Sequence, residues 1–317
     1  MRKFTGIILT AAMLTSGAAF AQGAWPSKTI SLIVPYAPGG YTDSVGRITA
    51  QFLEKELGQT VIVENRAGAG GIVGTDLVSK SQPDGYTLCM CSVGAVSVAP
   101  VAQAVEYDPL TAFSPISIVS EIPQTVIINP SLPVNTIEEF VAYAKEHPGE
   151  LDYASSGAGG LMHFAVQLFQ SKTGTELVHI PFGGGAPATA AVVSGEVDFT
   201  FTNMTDALPQ IEADTVRGLA VTADERSPFL PDLPTIAETV VPGFTAVSWN
   251  GVLAPAGLSD DIVARLSDAL KKMAEDEGVK EAMAKVGATP VFITPEQYAE
   301  RISQEVAQWK ATLEEIQ

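Results

Sequence analysis

The sequence predicts a layered α/β protein of two domains with a ligand cleft between them. Three observations predict it. Apolar runs of strand length alternate with segments of helical spacing. Several runs end in glycine-rich turns that open the next helix. The alternation falls into two sets along the chain, which implies parallel strands in two α/β units.

The chain opens with an export signal rather than with the fold. Arg2 and Lys3 form a basic start, and Gly6 to Leu14 is apolar but too short to span a bilayer. Ala19-Phe20-Ala21 reads as a cleavage site, which predicts a signal peptide of residues 1–21 and an exported mature chain. No cysteine follows the site, so a lipid anchor is not indicated. About 296 residues (317 − 21) remain, enough for roughly two domains.

In the first set, Ile30 to Val34 is a strand leading into Tyr36-Ala37-Pro38-Gly39-Gly40-Tyr41-Thr42-Asp43. Val45, Ile48, Phe52, Leu53 and Leu57 then share a helical face, and Gly58 stops the helix. Val61 to Glu64 is a second strand, leading through Asn65 to Gly74 into a helix that closes at Pro83-Asp84-Gly85. Tyr86 to Ser92 is a third strand, followed by a turn at Val93-Gly94-Ala95. Cys89 and Cys91 lie in it as small buried hydrophobes. They share a face, but full extension holds their Cα atoms near the upper limit for a disulfide.

The second set begins near residue 121. Strands are expected at Thr125 to Asn129, Leu151 to Ala154, Val178 to Pro181, Val197 to Thr202 and Arg217 to Thr222. Thr136-Ile137-Glu138-Glu139 is a capping box for the intervening helix, which stops at His147-Pro148-Gly149. Further turns open helices at Ser155 to Gly160 and at Phe182 to Pro187. After a proline-rich stretch, Ala246 to Ala254 returns to strand, and helices at about 260–272 and 295–316 close the chain. Domain 1 is then residues 22–122 with 247–317, and domain 2 is residues 123–246. A chain that crosses twice suits hinged closure.

Charge and motifs narrow the chemistry. The formal charge is −18, or −20 without Arg2 and Lys3, which argues against nucleic acid or anionic lipid as partner. Gly68-Ala69-Gly70-Gly71-Ile72-Val73-Gly74 misses the dinucleotide fingerprint because its last glycine comes one residue late. Ser155 or Ser156 with His163 hints at a hydrolase, but there is no G-x-S-x-G elbow and no acid placed to orient the histidine. Asp43 reads as a helix N-cap or as a pocket acceptor, and His163 lines the cleft or packs. His147 and His179 read as structural. Arg66 meets a ligand carboxylate or pairs with a nearby acid. No metal, cofactor or catalytic group is expected. The glycine turns themselves suit an anion, because unpaired N–H groups at a helix start are open to close approach.

Separated motifs then point to a family. They are Trp25-Pro26-Ser27-Lys28, Val34-Pro35-x-x-Pro38-Gly39-Gly40-x-Thr42-Asp43, Val63-Glu64-Asn65-Arg66-x-Gly68-Ala69-Gly70-Gly71, Pro83-Asp84-Gly85-Tyr86-Thr87-Leu88, Tyr153-Ala154-Ser155-Ser156-Gly157, Leu230-Pro231-Asp232-Leu233-Pro234-Thr235 and Ala254-Pro255-Ala256-Gly257. Together they resemble the Bug family, the periplasmic solute-binding proteins of tripartite tricarboxylate transporters. The resemblance implies a type II periplasmic binding fold and a small organic carboxylate held by backbone N–H groups and water. That carboxylate is a di- or tricarboxylate, an acidic amino acid or an aromatic acid. It implies large and small membrane subunits as partners of a monomeric receptor, with no enzymatic activity. The implied pocket draws on Ala37, Gly39, Gly40, Tyr41, Thr42 and Asp43, on Ser92 and Gly94, and on Ser156, Gly157, Gly159 and His163. Gly184, Gly185, Ala186, Asn203, Asp206 and Trp249 complete it. The chain departs from the usual pattern at Phe182-Gly183-Gly184, at Thr202, at Asp206, and at Ala158 and Gly160. The alternatives are a receptor feeding a two-component sensor and a secreted α/β hydrolase.

Overall fold

The structure is a computed structural model that describes residues 25–316; the expected signal segment and its cleavage site lie outside the described residues. Strands β1 (Ile30–Val34), β2 (Val61–Asn65) and β3 (Thr87–Ser92) are parallel in the order β2-β1-β3. Helices α1 (Tyr41–Leu57) and α2 (Ile72–Ser79) make the crossovers between them. Val45, Leu53 and Leu57 of α1 are buried, with Ile48 and Phe52 packed against the same cluster. Gly58 ends α1 in the left-handed conformation (φ 69°), donating its N–H to Glu54 O.

Three expectations, two in this half and one at its border with the second, need correction. The segment after β3 is not a turn: a π-helical segment (Gly94–Val98) runs into α3 (Ala99–Ala102). Gly94, Ala95, Ser97 and Ala99 are small enough for this segment to pack with Val96 and Val98 fully inside. The strand expected over 125–129 is the end of the 16-residue β4 (Phe113–Ile128). Cys89 and Cys91 are disulfide-bonded, with Cα atoms 5.2 Å apart. The sequence argument assumed a fully extended strand. The real one is contracted there, which brings two cysteines on the same face within bonding reach.

The second half holds α4 (Ile137–Glu146), β5 (Asp152–Ser155), α5 (Leu161–Thr173), β6 (Val178–Pro181), α6 (Gly185–Ser194), β7 (Phe199–Asn203), α7 (Met204–Glu212), β8 (Arg217–Val221) and α8 (Ile236–Thr239). β5 pairs in parallel with β6 and β7. β9 (Val247–Pro255) then returns to the first half, inserting antiparallel between β3 and β4. α9 (Asp260–Glu275), α10 (Glu277–Ala284), the short β10 (Thr289–Pro290) and α11 (Pro295–Ile316) follow. Parallel strands thus form each wing, but the centre is antiparallel, and β8 runs antiparallel to β4.

β4 joins the halves. Its residues 113–123 pair with β9, whereas 124–128 pair with β7 and β8. Helices cover both faces of each half. One face of the first half is sealed by α1, α9 and α10, and the other by α2 and α11. In the second half, α4 and α5 pack an aromatic cluster of Phe140, Phe169, Phe199 and Phe201, while α6 and α7 cover the opposite face. Among the described residues, no helix is long and apolar enough to cross a membrane.

Candidate functional site

A small cavity of about 40 Å³ lies where the two halves meet. Helical segments from both halves begin at its wall. α1 brings Gly40, Tyr41, Thr42 and Asp43, and the π-helical segment brings Ser92, Val93 and Gly94. From the second half come Ser156, Leu161 and Met162 at α5, Gly185 at α6 and Asn203 at α7. None of these five helix starts carries a side-chain cap. Their first N–H groups have no intrahelical partner and carry the positive end of the helix dipole. Of the helices that start elsewhere, α4, α8 and α10 are capped by the side chains of Thr136, Thr235 and Asp276, whereas α2, α3 and α9 carry no side-chain cap. No lysine, arginine or histidine lines the cavity among the described residues. The positive potential at this wall therefore comes from backbone, which an anion of modest size can approach closely.

Asp43 shapes the first turn. It is not the N-cap of α1, which is Gly40; it sits at the third helical position. Its carboxylate accepts from Gly39 N–H (2.9 Å), from Arg47 Nε and Nη2 (both 2.9 Å) and from Asn65 Nδ2 (2.9 Å). Burial alone would raise this carboxyl, but the bonds from Arg47, Gly39 and Asn65 hold it below its usual range. With its oxygens so occupied, Asp43 fixes the Gly39–Gly40 turn and offers little to a ligand. The same bonds explain how a carboxylate is accommodated at the edge of this wall.

Tyr36 ties the two glycine turns of the first half together. Its buried hydroxyl donates to Gly70 O (2.9 Å) and bonds Ser92 Oγ (2.7 Å), and burial pushes the phenol up to about 12. Gly70 in turn lies against the other half. A Cβ there would sit 2.8 Å from Ala158 O, and one on Gly157 (φ 124°) would sit 2.5 Å from Gly70 N. Further bonds cross the cleft from Ala37 N–H to Gly183 O (3.1 Å) and from Gln103 Nε2 to Ala158 O (3.1 Å). The halves are therefore in backbone contact around the cavity, in a closed arrangement.

A family described as tripartite tricarboxylate transporter family receptor matches residues 45–317. This chain belongs to that receptor family. BugT of Bordetella pertussis is 37% identical over 297 residues, covering 92% of this chain and 90% of BugT. A structure of R. palustris Rpa4515 with adipate superposes with a TM-score of 0.88 at 32% identity, covering 92% of this chain and 98% of that one. MatC from Rhodopseudomonas palustris, with bound malate, gives 0.87 at 30% identity, covering 91% and 99%. The periplasmic binding protein BugD superposes with a TM-score of 0.89 at 34% identity, covering 92% of this chain and 98% of that one. The fold is therefore the two-domain α/β fold of periplasmic binding proteins, and the family is one of receptors.

Within this receptor, Ala37, Gly40, Tyr41, Thr42, Asp43, Ser92, Gly94, Ser156, Gly185 and Asn203 stand on the cavity wall. Gly39, Ala186 and Asp206 line an adjoining outer groove instead. Asp206 is buried behind Gly40 and Gly185 and accepts from Tyr41 N–H; burial pushes its carboxyl up to about 7 against the bonds from Thr202 and Tyr41. Gly157, Gly159 and Gly184 form close contacts with Gly70, Gln103 and Ala37. Arg66 pairs with Glu64 at the surface (2.7 Å).

Two expected pocket residues point elsewhere. His163 stacks on His179 (centroids 3.9 Å apart), its Nδ1 accepting from Gly159 N–H, and burial with the neighbouring His179 lowers it to about 4. Trp249 is fully buried against Tyr298, its Nε1 donating to both oxygens of Glu305 (3.0 Å each). Strand alternation is the reason: Ser248 reaches the cavity and Asn250 bonds Thr42 there, so Trp249 must face away. The serine–histidine pair is also not the expected one. Ser155 bonds His179 (2.6 Å) but is fully buried within the Gly157 turn, and Ser156, on the wall, has no histidine partner among the described residues.

Sequence reasoning missed Tyr36, Gln124 and Ser248 on the wall, whereas Val93, Leu161 and Met162 fall within the segments 92–95 and 156–163 that the resemblance assigned to the pocket. Gln124 carried a legible signal, a polar side chain inside an otherwise apolar strand.

Proposed function

We propose that the chain captures a small organic carboxylate in this cavity and delivers it to the large and small membrane subunits of a tripartite transporter. The mature protein works in the periplasm as a monomer, released by cleavage after Ala21. The observation that carries the reading is the convergence of five uncapped helix starts on one cavity with no basic side chain on its wall. Each such terminus stabilises an anion by ~0.3–1 kcal/mol at a surface and up to ~2 kcal/mol when partly buried. Several acting together suffice for a carboxylate without a lysine or arginine. Adipate in Rpa4515 and malate in MatC support the same ligand class here.

The domains in this reading are 22–122 with 247–317, and 123–246. Residues 123–124 and 246–247 form the hinge, where β4 changes partner and β9 begins. The start of α1, its turn braced by Asp43, holds one carboxylate from domain 1 through backbone N–H groups and water, and the starts of α5, α6 and α7 close on the ligand from domain 2. Isothermal titration calorimetry of ligand-stripped protein against a panel of carboxylates tests the proposal. Saturable binding of at least one acid is expected; a folded protein that binds none overturns it.

A further inference from the structure

We infer that the ligand is a carboxylate that also carries a hydrogen-bond donor, a hydroxy acid or amino acid rather than an unsubstituted diacid, and that Gln124 reads this donor. The inference rests on the carboxylate reading above and adds the substrate class.

Gln124 of β4 is in register with Asn203 of β7, so the two side chains leave the same face of the sheet, and both line the cavity. The Gln124 backbone is fully used: its N–H donates to Thr222 Oγ1 and its carbonyl accepts from Thr222 N–H. The side chain is completely buried, yet neither Oε1 nor Nε2 has a hydrogen-bond partner among the described residues. Asn203 Oδ1 is likewise buried without a partner. Buried amides are ordinarily paired, so two unpaired ones side by side at a cavity point to a group that pairs them.

The protons on the neighbouring hydroxyls say what that group must be. Tyr36 has one proton, and it goes to Gly70 O, so Ser92 must donate to Tyr36. Thr42 Oγ1 donates to Asn250 Oδ1. Ser92 and Thr42 therefore turn only lone pairs toward the cavity, as do Gln124 Oε1 and Asn203 Oδ1. A carboxylate only accepts, so it satisfies the helix N–H groups and none of these four oxygens. A hydroxyl or ammonium on the same ligand supplies the missing donor, and Gln124, with a donor and an acceptor side by side, matches a hydroxyl both ways.

The test is calorimetry on the ligand-stripped mature protein with matched acids that differ only at one substituent. The sets are succinate, malate and aspartate; glutarate, 2-hydroxyglutarate and glutamate; and adipate, 2-hydroxyadipate and 2-aminoadipate. In the set whose length binds, the hydroxy or amino acid is expected to bind roughly tenfold or more tightly than the unsubstituted acid. Preference between the two substituted acids tells a neutral donor from a charged one. In Gln124→Leu, or in Gln124→Met if the first variant fails to fold by circular dichroism, the gap shrinks to within about threefold. An unsubstituted diacid that binds wild type as tightly as its substituted partners overturns the inference while sparing the carboxylate reading. A gap that survives in a folded Gln124 variant overturns the role of Gln124. Absence of binding across every set overturns the carboxylate reading and this inference with it.

Discussion

Asp206 is expected to make ligand binding depend on pH. Its carboxyl is buried between Gly185 of one half and Gly40 and Tyr41 of the other, and burial raises it to about 7 from an ordinary 3.8. Opening the cleft removes Gly40 and Tyr41 and returns the group to water, so its affinity for a proton falls toward the ordinary value. The closed state thus holds a proton that the open state sheds. For an acid raised in this way, the closed state is fully favoured at pH values below the ordinary value. That advantage is lost as pH rises toward 7, and above 7 the loss is complete and constant. Between about pH 5 and about pH 7 the affinity falls by up to tenfold per pH unit, or up to ~2.7 kcal/mol across the window at ~1.36 kcal/mol per unit. Asp206→Asn keeps an oxygen for the Tyr41 N–H but has no proton to lose, so its affinity is expected to be flat over the same window. Calorimetric Kd values for wild type and variant, with a ligand whose carboxyls stay ionised throughout, measure both slopes. A flat wild-type profile, or a slope that persists in Asp206→Asn, refutes the reasoning.

Other perturbations separate closure, stability and recognition. Gly157→Ala places a Cβ against the Gly70 backbone at a strained φ of 124°, so binding is expected to weaken roughly tenfold or more, since closure must be paired with a backbone shift; small-angle scattering should show that ligand no longer compacts the variant. Tyr36→Phe leaves Gly70 O and Ser92 without their shared partner and should cost ~1–3 kcal/mol of stability in urea titrations. Trp249→Phe removes the indole bonded to buried Glu305 and should cost stability on the order of 1–3 kcal/mol while Kd stays within about threefold of wild type. A large affinity loss at unchanged stability would instead put Trp249 on the ligand.

The parts of the fold that depend on neighbours in sequence were legible, and the parts that depend on pairing were not. The first βαβαβ unit follows from apolar runs and from Gly58, whose left-handed cap ends α1 as its position implied. The antiparallel insertion of β9 between β3 and β4 has no local signature, because a strand buried on both faces looks the same whichever way its neighbours run. The site divides in the same way. Gly40, Gly160 and Gly184 stand where a serine or threonine would cap a helix, and the sequence does place such caps at Thr136 and Thr235, away from the cavity. Withholding the cap is a local choice and can be read. Asp43 misled because its residue type fits an N-cap, whereas its partners Arg47 and Asn65 show that it braces the turn from the third helical position. Gln124 could not be ranked above other strand polars until its register with Asn203 was known.

The second glycine turn, Asn65 to Gly74, shows what register adds. Read alone, it packs a helix on the sheet, and Gly74 does so: a Cβ there would meet Pro35 and Arg66 O at 2.8 Å. Gly70 in the same turn has a different reason to be glycine, since its neighbours are Ala158 and Gly160 of the other half. One turn therefore serves both the interior of its own domain and the backbone contact that seals the cavity. Tyr36, donating to Gly70 O from the cavity wall, couples the two tasks. A side chain at Gly70 leaves the packing at Gly74 in place and acts on closure, so within a single turn the stability effect and the binding effect of substitution should fall on different residues.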